Sequence, residues 1–498
     1  MKRKLYQFYF FLGVLFFSCS TTKKGFFNKE YHSLTTKFNV LFNANEAFSV
    51  GETILKEAFE EDFSSLLPVE PINLRGESID NTTIVPGFER AEEKAVKAIQ
   101  KHSIKLDEIQ YNRQIDDAYL ILGKARYFDR RFFPALEAFN FLLENGASPQ
   151  IFTEGRIWRE KTNIRLNNFE LARENLRPLV QELNPKNKLY PLANASLAEV
   201  FIQLKVLDSA AIYLQQAAAY EPKRRNKARY LFISGQLLER LKKKDSAQKV
   251  YSRIGLLKRK APRNIFIEAQ IKKVFLASTI EEEEKNNFLK RLLNNYENEP
   301  YKHRILSAQA NLYLKQDKDS IALVYFNNAL GSPSLDRFTE IENYEILSNY
   351  FFNQGEYLKT ANYLDRLLPL FEESTSKYKQ LKRKRESLSE VITYEKTIQE
   401  TDSILALLAL SPDAQQKYFQ TFIELQQENL QKTLKAEVDQ QKAQLFRRSE
   451  GAFYFYNANL VLKGKQNYLS RWGNRPNSDN WRRAEALSKS TWSEKISA

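Results

Sequence analysis

The side chains able to do chemistry in this 498-residue sequence are few and scattered. Its three histidines, His32, His102 and His303, stand far apart, and a metal centre needs three or four donors at set spacings. No HExxH, CxxC, GxSxG, P-loop or dinucleotide glycine pattern occurs. The run Glu281 to Glu284 offers four carboxylates, but consecutive helical residues diverge around the axis and cannot face one another as an acid and a base. It reads as a solvated charge run. The expectation is therefore no enzyme, no metal, no cofactor and no small-molecule substrate. Recognition chemistry is better represented. The stretch YLSRWGNRPNSDNWRR, Tyr468 to Arg483, places Trp472 and Trp481 among Arg475, Arg482 and Arg483, and Trp and Arg dominate interface energetics. The same indoles can instead close a core under stacked guanidinium groups, so both readings stand.

The single cysteine, Cys19, has a chemistry of its own. Met1 to Lys4 is a basic n-region, and Leu5 to Phe17 is an apolar run too short to span a bilayer, the pattern of a signal peptide over residues 1–18. Ser18 before Cys19 resembles a bacterial lipoprotein cleavage box, with Phe16 where such a box usually has Leu. Cys19 is thus expected to be acylated, since a lone thiol can form no intramolecular disulfide. The following STTKKG lacks the acidic residues of a surface-export signal. The localisation expected is the outer membrane, lipid-anchored and facing the periplasm.

The elements that hold these residues are helices. Gly and Pro number 15 each, well below ordinary usage, and strand-type alternation is scarce, which predicts an all-α chain. In DDAYLILGKARYFDRRFFPALEAFNFLL, Asp116 to Leu143, the positions of Tyr119, Gly123, Ala135 and Phe139 match a tetratricopeptide (TPR) helix pair, in which small residues let two helices approach. The small position recurs at Ala172, Ala210 and Ala247, in steps of 37, 38 and 37 residues. DSA at Asp208 and Asp245, then DSI at Asp319, repeats the phrase. About seven units are expected over 115–370, stacked into a right-handed superhelix whose concave face holds a protein partner.

Residues 19–114 are expected to cap this array, with a helix pair over Phe38 to Phe59 and a proline-bearing loop from Pro68 to Pro86. Residues 371–498 form a C-terminal helical, coiled-coil-like region. Its predicted seam is Leu381, Leu388, Val391, Ile398 and Leu405, followed by a Gln-rich helix with a stripe at Ile423, Leu430, Leu434 and Val438.

Removing Lys2, Arg3 and Lys4 lowers the formal net charge from +15 to +12. Basic clusters remain at Lys223–Arg229, Arg240–Lys244, Lys258–Arg263 and Lys382–Arg385. In a cytoplasmic chain they would suggest nucleic acid; behind a signal peptide they suit acidic proteins, phospholipid head groups or peptidoglycan carboxylates.

YHSLTTKFNVLFNANEAF (Tyr31 to Phe48) after the cleavage box, the TPR units, FYFYN (Phe453 to Asn457) and RWGNRPNSDNWRR together resemble the SprE/PorW family of the Bacteroidetes type IX secretion and gliding motility apparatus. The resemblance spans nearly the whole chain. It implies a scaffold whose partners are periplasmic ring and outer-membrane translocon proteins. Gliding-type members continue beyond this signature, whereas this chain stops at Ala498. Two other classes fit the residues: a SusD-like glycan-binding lipoprotein and a general envelope chaperone.

Overall fold

The computed structural model describes residues 25–72, 85–107, 109–145, 147–447 and 458–473. It begins with one long helical rod: α1 (Phe26–Thr35), a π-helical stretch (Thr36–Leu41) and α2 (Phe42–Ala58). No Gly or Pro interrupts residues 26–50, so the predicted pair over Phe38 to Phe59 is corrected to part of a single rod. The rod packs through Val40, Leu41 and Ala44 on α3 (Phe88–His102), whose alanines Ala95 and Ala98 are wholly buried. A minimal antiparallel hairpin, β1 (Lys105–Leu106) with β2 (Ile109–Gln110), leads to the repeats.

Seven helix pairs then follow: α4 (Gln114–Phe128) with α5 (Phe132–Glu144), α6 (Pro149–Arg165) with α7 (Phe169–Glu182), α8 (Tyr190–Gln203) with α9 (Leu207–Tyr220), α10 (Arg224–Arg240) with α11 (Lys244–Gly255), α12 (Arg263–Leu276) with α13 (Glu282–Leu293), α14 (Lys302–Leu314) with α15 (Asp319–Leu330), and α16 (Arg337–Asn353) with α17 (Tyr357–Leu367). Each packs on the next, giving an all-α repeat solenoid.

Local chemistry makes the repeat. In six of the seven pairs the turn between helices holds one residue at positive φ: Arg130, Asn167, Lys205, Lys242, Asp317 and Gly355. The next residue donates its N–H back five positions, as Arg131 does to Arg126, Val206 to Phe201 and Glu356 to Phe351, the Schellman closure of a helix end. Side-chain size fixes the crossing. A methyl on Gly123 would lie 2.4 Å from the ring of Phe139, and one on Gly235 would lie 2.5 Å from Tyr251. Ala135, Ala172, Ala210, Ala247 and Ala322 occupy equivalent buried places, as does Thr360 in the last pair. The unit built on α12 and α13 departs because Lys285 and Asn286 stand there, and Asn286 bonds Tyr313 Oη (2.5 Å) and Gln309 (3.1 Å) instead of closing an apolar contact.

The last pair is followed by α18 (Ser376–Ser387), held by Arg385 on both carboxylate oxygens of Asp365 at 2.8 and 3.0 Å. A second compact unit starts after Ser389. It comprises most of α19 (Ser389–Leu408), α20 (Pro412–Arg447) and α21 (Ala458–Trp472). Here the predicted seam is corrected. The helix is interrupted at Leu388, and although Leu381 and Leu388 are buried, Val391, Ile398 and Leu405 are exposed, as are Ile423, Leu430 and Leu434. A seven-residue stripe makes a seam only when a second stripe covers it.

Candidate functional site

The first helix of each pair carries side chains onto a shared groove, and the groove is occupied. Its occupant is the chain's own segment Phe59–Ile72, which follows α2 and runs across α6, α8, α10 and α14. This explains a feature of α10 that periodicity cannot. All eleven residues from Ala228 to Leu238 are buried, so α10 is covered on every side, by neighbouring helices and by the segment.

The segment enters as an extended limb, turns and returns. Asp62 makes the turn by accepting the Ser64 N–H at 3.0 Å. Arg229 ties the limbs together, pairing with Glu61 on the way in and donating to the Pro68 carbonyl on the way out at 3.0 Å. Gln236 reads the main chain as a neighbouring strand would: its Oε1 accepts the Leu67 N–H at 3.1 Å and its Nε2 donates to the Ser65 carbonyl at 2.7 Å. Phe63, Leu67, Val69 and Ile72 point into the wall and are buried, while Ser64, Ser65 and Pro68 face solvent. Phe63 meets Phe232 edge-on at 5.4 Å and lies under the Arg304 guanidinium at 4.7 Å. Burying each such apolar side chain contributes about 1.5–3 kcal/mol.

Glu70 closes the upper end. Its carboxylate accepts from Lys161 Nζ (2.6 Å), Tyr127 Oη (2.7 Å) and Arg165 Nη2 (3.2 Å). Arg165 is itself fixed by Glu199 at 2.6 Å, and Lys161 sits 3.8 Å from the Trp158 ring centre. Burial alone would raise the Glu70 pKa, but the two cations and their hydrogen bonds outweigh it and hold the carboxyl below its ordinary value. A cleft of about 360 Å³ remains beside this cluster.

Beyond the tip of the segment the groove is open. A cavity of about 580 Å³ continues past Phe63 between α12, α14 and α16, with Ile271, Phe275 and Ile346 as apolar wall and Lys272, Lys315 and Glu342 at its edges. Arg304 bridges the wall here, donating to Glu268 (2.7 Å) and Asp336 (3.0 Å), while His303 reaches Asp336 at 2.5 Å. Glu342 is solvent-accessible yet enclosed by the concavity; partial burial and the nearby Glu268 carboxylate raise its pKa.

Sequence reasoning missed this site. The loop predicted from Pro68 begins inside the groove, and the recurrence of Phe63, Leu67, Val69 and Ile72 among polar residues was the available signal. It also missed that His32 and His102, separated by seventy residues, stand with their Nδ1 atoms 3.0 Å apart between the rod and α3. No group of three or more metal-ligating side chains occurs among the described residues. Glu281 to Glu284 open α13 as an exposed acidic first turn. Of the basic clusters, Lys223–Arg229 is divided, since Arg229 is buried against the segment. Trp472 ends α21, half-buried, and Gly473 at φ +68° terminates the helix. Cys19, Arg475, Trp481, Arg482, Arg483 and the FYFYN stretch lie outside the described residues.

No protein-family profile matches the chain, and no curated protein matches it. Solved structures similar to it include a TPR protein of Parabacteroides merdae (12% identity, 53% of this chain and 96% of that one, TM-score 0.39). Others are a thermophilic TPR protein of Thermus thermophilus (19%, 46% and 96%, 0.26) and pilF of Pseudomonas aeruginosa (15%, 47% and 97%, 0.29). The chain's own seven helix pairs and their repeated turns place it among TPR-like helical-repeat proteins.

Proposed function

We propose that this chain is a protein-interaction scaffold, anchored through acylated Cys19 to the periplasmic side of the outer membrane and serving the type IX secretion and gliding apparatus. One observation carries the scaffold reading: side chains of the groove bind extended polypeptide through its main chain, as Gln236 and Arg229 do with Ser65, Leu67 and Pro68. The anchor rests on the signal-peptide pattern and the Ser18–Cys19 step, and the machine on the resemblance of the Tyr31–Phe48 and Arg471–Arg483 stretches to the SprE/PorW family. Partners engage the open half of the groove or the Trp472–Arg483 stretch, because the upper half is filled.

Crosslinked capture from cells tests the reading. Enrichment of periplasmic ring and translocon proteins is expected. A glycan transporter, or a broad set of unrelated clients, would replace it with the SusD-like or chaperone reading. Labelling with a palmitate analogue is expected to mark the chain and to be lost in Cys19→Ala.

A further inference from the structure

Along the rod formed by α1, the π-helical stretch and α2, one face is buried and the opposite face is apolar but bare. His32, Thr36, Val40 and Leu41 point inward. Outward stand Phe27 (77% exposed), Tyr31, Leu34, Phe38 (66%) and Phe42, with Phe26 (72%) beside the first. Their spacing of four, three, four and four residues puts each one turn beyond the last, a straight stripe roughly 20 Å long. Such a contiguous exposed apolar strip on a soluble surface marks an interaction site.

We propose that this stripe lies against a phospholipid leaflet, so that the rod docks in the membrane interface beside the lipid anchor. The inference rests on the acylation of Cys19 proposed above. Three features select a bilayer over a protein partner. Aromatic side chains make up five of the six exposed residues, four phenylalanines and Tyr31, the composition of the apolar face of helices that lie in the membrane interface. Between Lys23 and Phe42 the sequence has four lysines, Lys23, Lys24, Lys29 and Lys37, against one acidic residue, Glu30, a balance that favours anionic headgroups. Six peptide steps separate Cys19 from Gly25, so an acylated Cys19 keeps the start of α1 within roughly 20 Å of the bilayer whatever path the chain takes. The stripe adds an interfacial contact beside the lipid anchor.

The test uses the chain from residue 19 onward carrying Cys19→Ser, so that no acyl chain contributes, with vesicles of phosphatidylethanolamine and phosphatidylglycerol. Cosedimentation that weakens with salt is expected, together with a loss of roughly tenfold or more in the Phe27→Ser/Phe38→Ser pair. A chain with Phe38→Trp reads the same face by a single conservative change: its added indole should be quenched by lipids brominated along the acyl chain. Absence of that quenching, or vesicle binding by the serine pair equal to that of the parent, overturns the proposal and gives the stripe to a protein partner. The palmitate label on native Cys19 is read separately. A labelled chain with an unquenched indole contradicts the docking face alone, while an unlabelled chain contradicts the anchor.

Discussion

The two halves of the groove are built from the same helix pairs and differ in what lies on them. Over α6, α8 and α10 the wall carries Lys161, Arg165, Arg229 and Gln236, whose partners Glu70, Glu61, Ser65 and Leu67 come from a segment about one hundred to one hundred and seventy residues earlier. Over α12, α14 and α16 the polar groups pair within the wall, as Arg304 does with Glu268 and Asp336. A wall that completes its own ion pairs can stand open to water. One that buries Lys161 and Arg229, whose carboxylates both come from the segment, cannot, because an unpaired buried charge costs several kcal/mol. The filled half is thus part of the fold, and the open half is available for binding.

The largest expected effect separates the halves at once. Glu70→Ala leaves Lys161 buried without its carboxylate and should destabilise the solenoid by about 3–5 kcal/mol, read as a fall in urea midpoint. Lys315→Ala at the edge of the open cavity should shift it by no more than about 0.5 kcal/mol. A comparable loss at both sites would erase the distinction.

The wall itself should respond equally in both halves. Ala210 and Ala322 occupy matching places in the second helix of their pairs, each fully buried. Ala210→Leu and Ala322→Leu should each overpack the crossing and cost about 1–3 kcal/mol by the same denaturation measurement. A large cost at one and none at the other would break the common register.

A smaller effect comes from pH, with opposite sign in the two halves. Glu70 has a folded pKa below its ordinary value, so its contribution is full above the usual glutamate range and is lost as pH falls through the folded value. Glu342 has a raised folded pKa, so its ionisation opposes folding at neutral pH and protonation relieves it as pH falls through that raised value. Glu342→Gln should therefore slightly stabilise at neutral pH and lose that advantage in acid. The gap between Glu70→Ala and the parent should narrow in acid. Urea midpoints taken at descending pH check both signs.

These differences also mark what could be read from the sequence. Ala135, Ala172, Ala210 and Ala247 announced the helix pairs because a helix crossing is enforced locally, every 37 or 38 residues, by the size of one side chain. The groove's occupant was not legible in that way. Phe63 and Leu67 stand among polar residues like apolar positions in any loop, and nothing near them names Phe232 or Gln236 as their neighbours. Pairing over such separations is fixed by the completed solenoid. The seam predicted through Ile398 and Leu405 shows the converse: the period is present, but among the described residues no second stripe covers it.

Amide hydrogen exchange at Leu67 tests the central claim most directly, since that N–H donates to Gln236 inside the groove. If the segment Phe59–Ile72 is a fixed part of the fold, the Leu67 amide should be protected to the same degree as the core amides of α10 and lose protection in Gln236→Ala. Exchange of Leu67 at the rate of an exposed loop, with α10 still protected, would contradict the account and leave the whole groove open.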